Sequence, residues 1–140
     1  MAPRLVTTVE ILRTKAEFAR IELTEAKFED VVASNELVLV DFWAAWCGPC
    51  RGFVPVYAKV SVRYPDAVFD KVDTEAQPGL AGAFQIMPIP TLMVIRERVI
   101  LFSQAGALPE AALLDVLNRV REIDMEQILA QIHERDSAEI

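Results

Sequence analysis

The spacing of apolar residues along the chain switches between two periods, and the switches mark out the elements. Arg20-Ile21-Glu22-Leu23 alternates as a short strand. Thr24 then offers an N-cap to a helix over residues 25–33 that puts Phe28, Val31 and Val32 on one face. Ser34-Asn35-Glu36 is turn chemistry. Residues 37–43 form a nearly continuous apolar run interrupted by Asp41, the pattern of a central strand buried on both faces. A helical stretch over residues 51–63, with Pro55 inside it to kink it, leads to a strand over 67–73 and a short Pro-opened helix over 78–84. Residues 91–95 and 99–102 are two strands linked by Arg96-Glu97-Arg98, too short a link for a parallel crossover, so they predict an antiparallel hairpin. A final amphipathic helix starts near Pro109, with Leu113, Val116, Leu117 and Val120 facing inward. Asp124 followed by Gln127 is a second N-cap signal, opening a short helix that carries Ile128, Leu129 and Ile132.

The order βαβαβαββα places this chain in the α/β class: a mixed, mostly parallel sheet of about five strands sandwiched by helices. Residues 1–18 show no clear period and read as an extension; 19–122 form the domain, and 123–140 a C-terminal extension. The last twenty residues hold two Arg against six acids, which predicts a solvated helix that buries one apolar stripe.

Composition narrows the function classes. At 140 residues with 53% hydrophobic and 25% charged positions, one domain with a real core is expected. The net charge of −7 argues against gripping a phosphate backbone, so no nucleic-acid partner is expected. The N-terminus has no apolar stretch of signal-peptide length and no run approaches a membrane span, so a cytoplasmic protein without a membrane partner is expected.

In a reducing compartment, two cysteines three positions apart suggest chemistry or metal before a structural staple. Cys47-Gly48-Pro49-Cys50 lies between the buried strand and a helix. Positions i and i+3 of a first helical turn are about 5–5.5 Å apart, within the Cα separation a disulfide tolerates. The helix N-terminus brings positive partial charge and unpaired N–H groups to Cys47, favouring its thiolate. Cys50, one turn in, is more enclosed, so Cys47 is read as the attacking sulfur and Cys50 as the resolving one. Pro49 sits where its missing N–H costs little, and Gly48 leaves the backbone open to another chain. Half of a zinc site is the bland alternative, but only His133 and carboxylates could complete it, so no metal is expected.

From Val40 to Arg51, the segment VDFWAAWCGPCR resembles the active-site segment of the thioredoxin family. Ile89-Pro90-Thr91 is similar to the family's cis-proline loop, and Ala105-Gly106-Ala107-Leu108 to its glycine segment; the resemblance runs from about Arg20 to Arg121. It implies the thioredoxin fold, and a protein-disulfide reductase that works by thiol–disulfide exchange through a reversible Cys47–Cys50 pair. It also implies no bound cofactor, with reducing equivalents drawn from NADPH through a separate thioredoxin reductase. Partners would be that reductase and diverse disulfide-containing proteins, met by a monomer.

Asp41 on its own is either a strand-end carboxylate reaching solvent or a desolvated one with a raised pKa. The resemblance implies the second, with Asp41 assisting deprotonation of Cys50 and Lys71 as its partner; without it, Lys71 is an ordinary exposed strand-end charge. The resemblance also implies a cis Ile89–Pro90 bond whose backbone pairs with a substrate segment, with Trp46, Gly48, Pro49 and Gly106 completing a flat docking surface. Met87-Pro88, Arg98 in the hairpin turn, Ala45 and Arg51 depart from common family residues. A more oxidising oxidase or isomerase and a non-catalytic binding module are the competing functions. Gly-Pro between the cysteines speaks against the first, and Asp41 with both cysteines intact against the second.

Overall fold

The computed structural model describes residues 22–138. The expected extension over residues 1–18 lies outside them, as does the first half of the expected strand over 20–23. Of that strand, Glu22 makes a single parallel bridge to Lys71.

The elements run α1 (Glu25–Ser34), β1 (Leu37–Trp43), α2 (Gly48–Arg63), β2 (Val68–Asp73), α3 (Pro78–Ala83), β3 (Thr91–Arg96), β4 (Val99–Ala105), α4 (Glu110–Glu122) and α5 (Met125–Ala138). The helix expected from residue 51 begins three residues earlier, at Gly48, so Cys50 lies within it, and it runs through Pro55 as one element. The sheet order is β2-β1-β3-β4. β1 pairs with β2 in parallel, while β1–β3 and β3–β4 are antiparallel. The expectation of a mostly parallel, five-stranded sheet is therefore corrected to four described strands with antiparallel pairs in the majority. The reason is the length of α3. Six helical residues span only about 9 Å against about 20 Å for the strand before it, too little to carry the chain back along the sheet. The connection ends at the end of the sheet where it began, and β3 enters in reverse.

The alternation of side chains along β1 divides the core in two. Leu37 and Leu39 face a cluster built with Phe53, Tyr57 and Val60 of α2 and Leu113 and Leu117 of α4. Val38, Val40 and Phe42 face Phe28 of α1 and Leu80 of α3. By the same alternation, Asp41 points to the α2 side, into the space an apolar residue would otherwise fill.

The far end of the sheet is pinned by Arg96, whose Nη1 donates to the carbonyls of Val120 and Ile123, both at 2.9 Å, closing the end of α4. Asp124 Oδ1 accepts the Gln127 N–H at 3.3 Å, the N-cap that the sequence signalled for α5. The apolar stripe of that helix is buried less than expected. Met125 is 6% exposed, but Leu129 and Ile132 are 42% and 37% exposed, so only its first turn joins the body.

The β3–β4 hairpin closes on two residues with positive φ, Glu97 at 49° and Arg98 at 68°. This is the left-handed pair of a type I′ turn, which suits strand twist but costs ordinary side chains about 1–2 kcal/mol each. Replacing the pair together, Glu97→Asn with Arg98→Gly, is expected to raise the unfolding free energy by about 1–2 kcal/mol in urea denaturation. No gain would mean that the two side chains make compensating contacts.

Candidate active site

Cys47 is the N-cap of the 16-residue helix α2 and is joined to Cys50 by a disulfide, with 5.3 Å between their Cα atoms. The Cys50 N–H donates to Cys47 Sγ at 3.2 Å, and Gly48 and Pro49 form the first turn. The helix thus directs one of its unpaired N–H groups at the sulfur, the arrangement that favours a thiolate there once the bond is reduced. Both cysteines are buried, Cys47 at 4% and Cys50 at 1% exposure.

Across from the disulfide lies Ile89. Its carbonyl oxygen is 3.8 Å from Cys47 Sγ, the Ile89–Pro90 bond is cis, and the Ile89 N–H donates to no described residue. Gly106, with φ at +106°, donates its N–H to the Pro90 carbonyl at 2.7 Å, so it borders the same loop. A side chain would be strained at that φ, which accounts for the glycine. Trp46 is 66% exposed, its Nε1–H donating to Glu75 Oε1 at 2.7 Å. Glu75 is held in turn by a loop in which Asp73 Oδ1 accepts the N–H groups of Glu75 and Ala76. Met87, 87% exposed, stands two residues before Ile89. Cys47, Cys50, Trp46, Gly48 and Pro49 thus lie on one turn, with Ile89, Pro90 and Gly106 on the adjoining loops.

Asp41 is 1% exposed, and its Oδ1 has no hydrogen-bond partner among the described residues. Burial raises its pKa from 3.8 to about 7, with the charge of Glu22 adding to the rise and that of Lys71 opposing it. Lys71 is Asp41's register partner on β2. Its Nζ lies 3.8 Å from Glu22 Oε1 and 4.8 Å from the centre of the Trp43 ring. The expected Asp41–Lys71 pair is therefore a trio. Glu22 was missed because strand register, which aligns it with Lys71, leaves no mark on a single sequence. Glu75 was missed too, although Asp73-Thr74-Glu75 carries an Asx-turn signal.

The raised pKa of Asp41 has a consequence for stability. Between pH 3.8 and about 7 the folded protein keeps a proton that the unfolded chain has released, so stability falls as pH rises through that window and the cost is complete above it. Asp41→Asn is therefore expected to stabilise the protein by about 2–4 kcal/mol at pH 8 and by less than about 1 kcal/mol at pH 4, measured by urea denaturation. An equal gain at both pH values would show that the carboxylate charge is not its source.

Among the described residues no group of three or more His, Cys, Asp or Glu is placed to hold a metal, and no helix is long and apolar enough to cross a membrane. The thioredoxin family model matches residues 19–119. "Putative thioredoxin 2" of Streptomyces coelicolor is 55% identical over 117 residues, covering 84% of this chain and 87% of that protein. A Mycobacterium bovis thioredoxin is 41% identical over 104 residues, covering 73% and 90%. Among solved structures, a mutant thioredoxin from Halobacterium salinarum superposes with a TM-score of 0.68 at 30% identity, covering 75% of this chain and 91% of that one. Family members carry electrons in their own cysteines and bind no cofactor. With the Cys47–Cys50 pair seated at a helix N-terminus, this chain belongs to the thioredoxin family and is a thiol–disulfide oxidoreductase that reduces protein disulfides.

Proposed function

We propose that Cys47 is the nucleophile and Cys50 the resolving thiol, with Asp41 as the base that serves Cys50. The observation that carries this reading is the Cys50 N–H directed at Cys47 Sγ from the first turn of α2. The Cys47 thiolate attacks one sulfur of a target disulfide; the Cys47–target bond forms, and the second target sulfur leaves as a thiolate. The Cys50 thiol passes its proton to Asp41 and attacks Cys47 Sγ. The Cys47–Cys50 bond forms and the target's first sulfur departs. The target gains two electrons and the pair loses two. A base with a pKa of about 7 is matched to a thiol at neutral pH, and Asp41 points to the sheet face that α2 covers.

Docking rests on backbone and flat apolar surface. The unengaged Ile89 N–H can donate to the backbone of an extended target segment added as a short strand, which reads backbone more than side chains and so admits diverse proteins. Trp46, Pro49 and Gly106 flank that line, Gly48 permits close approach, and Met87 extends the apolar area. The same surface would receive a thioredoxin reductase, which returns electrons from NADPH. The setting is the cytoplasm, the protein a monomer, and the functional domain residues 19–122.

Two variants test the division of roles. Cys47→Ser is expected to lower reduction of a disulfide-bonded protein such as insulin by more than about a thousandfold, with the fold intact by circular dichroism. Cys50→Ser should instead hold its target in a mixed disulfide that dithiothreitol releases, seen as a mass shift. Mixed disulfides accumulating on Cys47→Ser, and none on Cys50→Ser, would reverse the assignment.

A further inference from the structure

Glu22, Lys71 and Asp41 form one row across three neighbouring backbones. Glu22 bridges Lys71 in parallel, and Lys71 is the parallel partner of Asp41. Partners in register present their side chains to the same face, so the ammonium stands between two carboxylates. It is not shared evenly. Lys71 Nζ lies 3.8 Å from Glu22 Oε1, whereas no ion pair within 4.0 Å joins it to Asp41 among the described residues. Glu22 is itself held, since its Oε2 accepts the Asp73 N–H at 3.1 Å. Burial raises the Glu22 pKa, while Lys71, the Trp43 indole and the Asp73 N–H favour its charged form.

We propose that Glu22 is a positioning residue for the exchange reaction: by drawing the Lys71 ammonium away from Asp41, it keeps that carboxyl basic enough to take the Cys50 proton. This rests on the reading of Asp41 as the base. The groups that bear on Asp41 are few. Lys71 comes from β2 and Glu22 from the segment before α1; Tyr57 comes from α2, its hydroxyl donated to the Asp70 carbonyl at 2.7 Å. Leu92 comes from β3, and Trp43 from β1 itself. Lys71 is the one cation among them, so where its charge points decides how readily Asp41 gives up its proton. Were Lys71 released from Glu22, it would turn to the buried and unpaired Asp41 Oδ1, and the base would weaken.

Glu22→Gln removes the charge and keeps an acceptor for the Asp73 N–H, so the local backbone bond survives. Two readouts are followed against pH in the reduced full-length protein. They are the carboxyl carbon of Asp41 by NMR and the rate of disulfide exchange with a small aromatic disulfide. In Glu22→Gln the Asp41 midpoint is expected to fall by about one pH unit, a tenfold loss of proton affinity. The midpoint of the exchange-rate profile should fall with it, and Glu22→Asp should restore both in part. An unchanged Asp41 midpoint in Glu22→Gln overturns the inference. So does a moved midpoint with an unmoved rate profile, provided Asp41→Asn does alter that profile. If Asp41→Asn leaves the profile unaltered, the reading of Asp41 as base fails, and the positioning role of Glu22 fails with it. Glu22→Ala serves as the structural control: a merely structural role would lower stability without moving the Asp41 midpoint.

Discussion

A carboxyl group buried in the central strand is the constraint around which this structure is arranged. β1 is covered on both faces, so each of its residues must either pack or be compensated. The other six are apolar and pack, Trp43 less completely than the rest, but Asp41 gives the α2-side cluster a group that cannot ionise cheaply and has one oxygen without a partner among the described residues. The protein carries this cost where chemistry can use it, on the face that carries the cysteine helix. A single ammonium, Lys71, compensates it only in part because Glu22 and the Trp43 ring also hold that charge. A better-paired Asp41 would make a more stable protein and, under the proposed mechanism, a weaker base.

The cysteine pair depends on the same strand from its other end. β1 delivers the chain into a turn that opens α2 at Gly48, and the helix supplies the N–H that meets Cys47 Sγ. The surroundings of that sulfur are backbone and exposed apolar surface: Ile89 O, the loop held by Gly106, and Trp46 steadied by Glu75. The cysteine sulfurs therefore sit on a rigid element, bordered by an open rim to which the proposed mechanism assigns recognition. The rest of the fold keeps the platform fixed. Arg96 ties β3 to the end of α4, and the two apolar clusters lock the helices to the sheet faces.

Much of this was legible in the chain. The continuous run over β1 announced a two-sided strand and Asp124 with Gln127 marked the final helix, while the helix after the cysteine turn was expected three residues late. Direction was less legible: β3 has the same apolar composition whether it runs with β1 or against it, and only the brevity of α3 decides. Of the Glu22–Lys71–Asp41 row, the Asp41–Lys71 pair came only from the family resemblance and Glu22 was not legible, since pairing depends on which residues three separate segments bring level. Arg98, a poor residue for a left-handed turn, concealed the type I′ geometry that Asn-Gly would have announced. The stripe of Ile128, Leu129 and Ile132 was read correctly as helical, but periodicity says only that a face is apolar, not that something covers it.

The most direct test of the account is the reduction potential of the Cys47–Cys50 pair, read from tryptophan fluorescence in a series of dithiol/disulfide buffers, since Trp46 stands next to Cys47. A reductase of this kind should equilibrate near about −270 mV, the figure typical of thioredoxins as a class rather than one obtained from this geometry. A potential above about −200 mV would mean a pair poised to oxidise or isomerise its partners, and would contradict the assignment of this protein as a disulfide reductase.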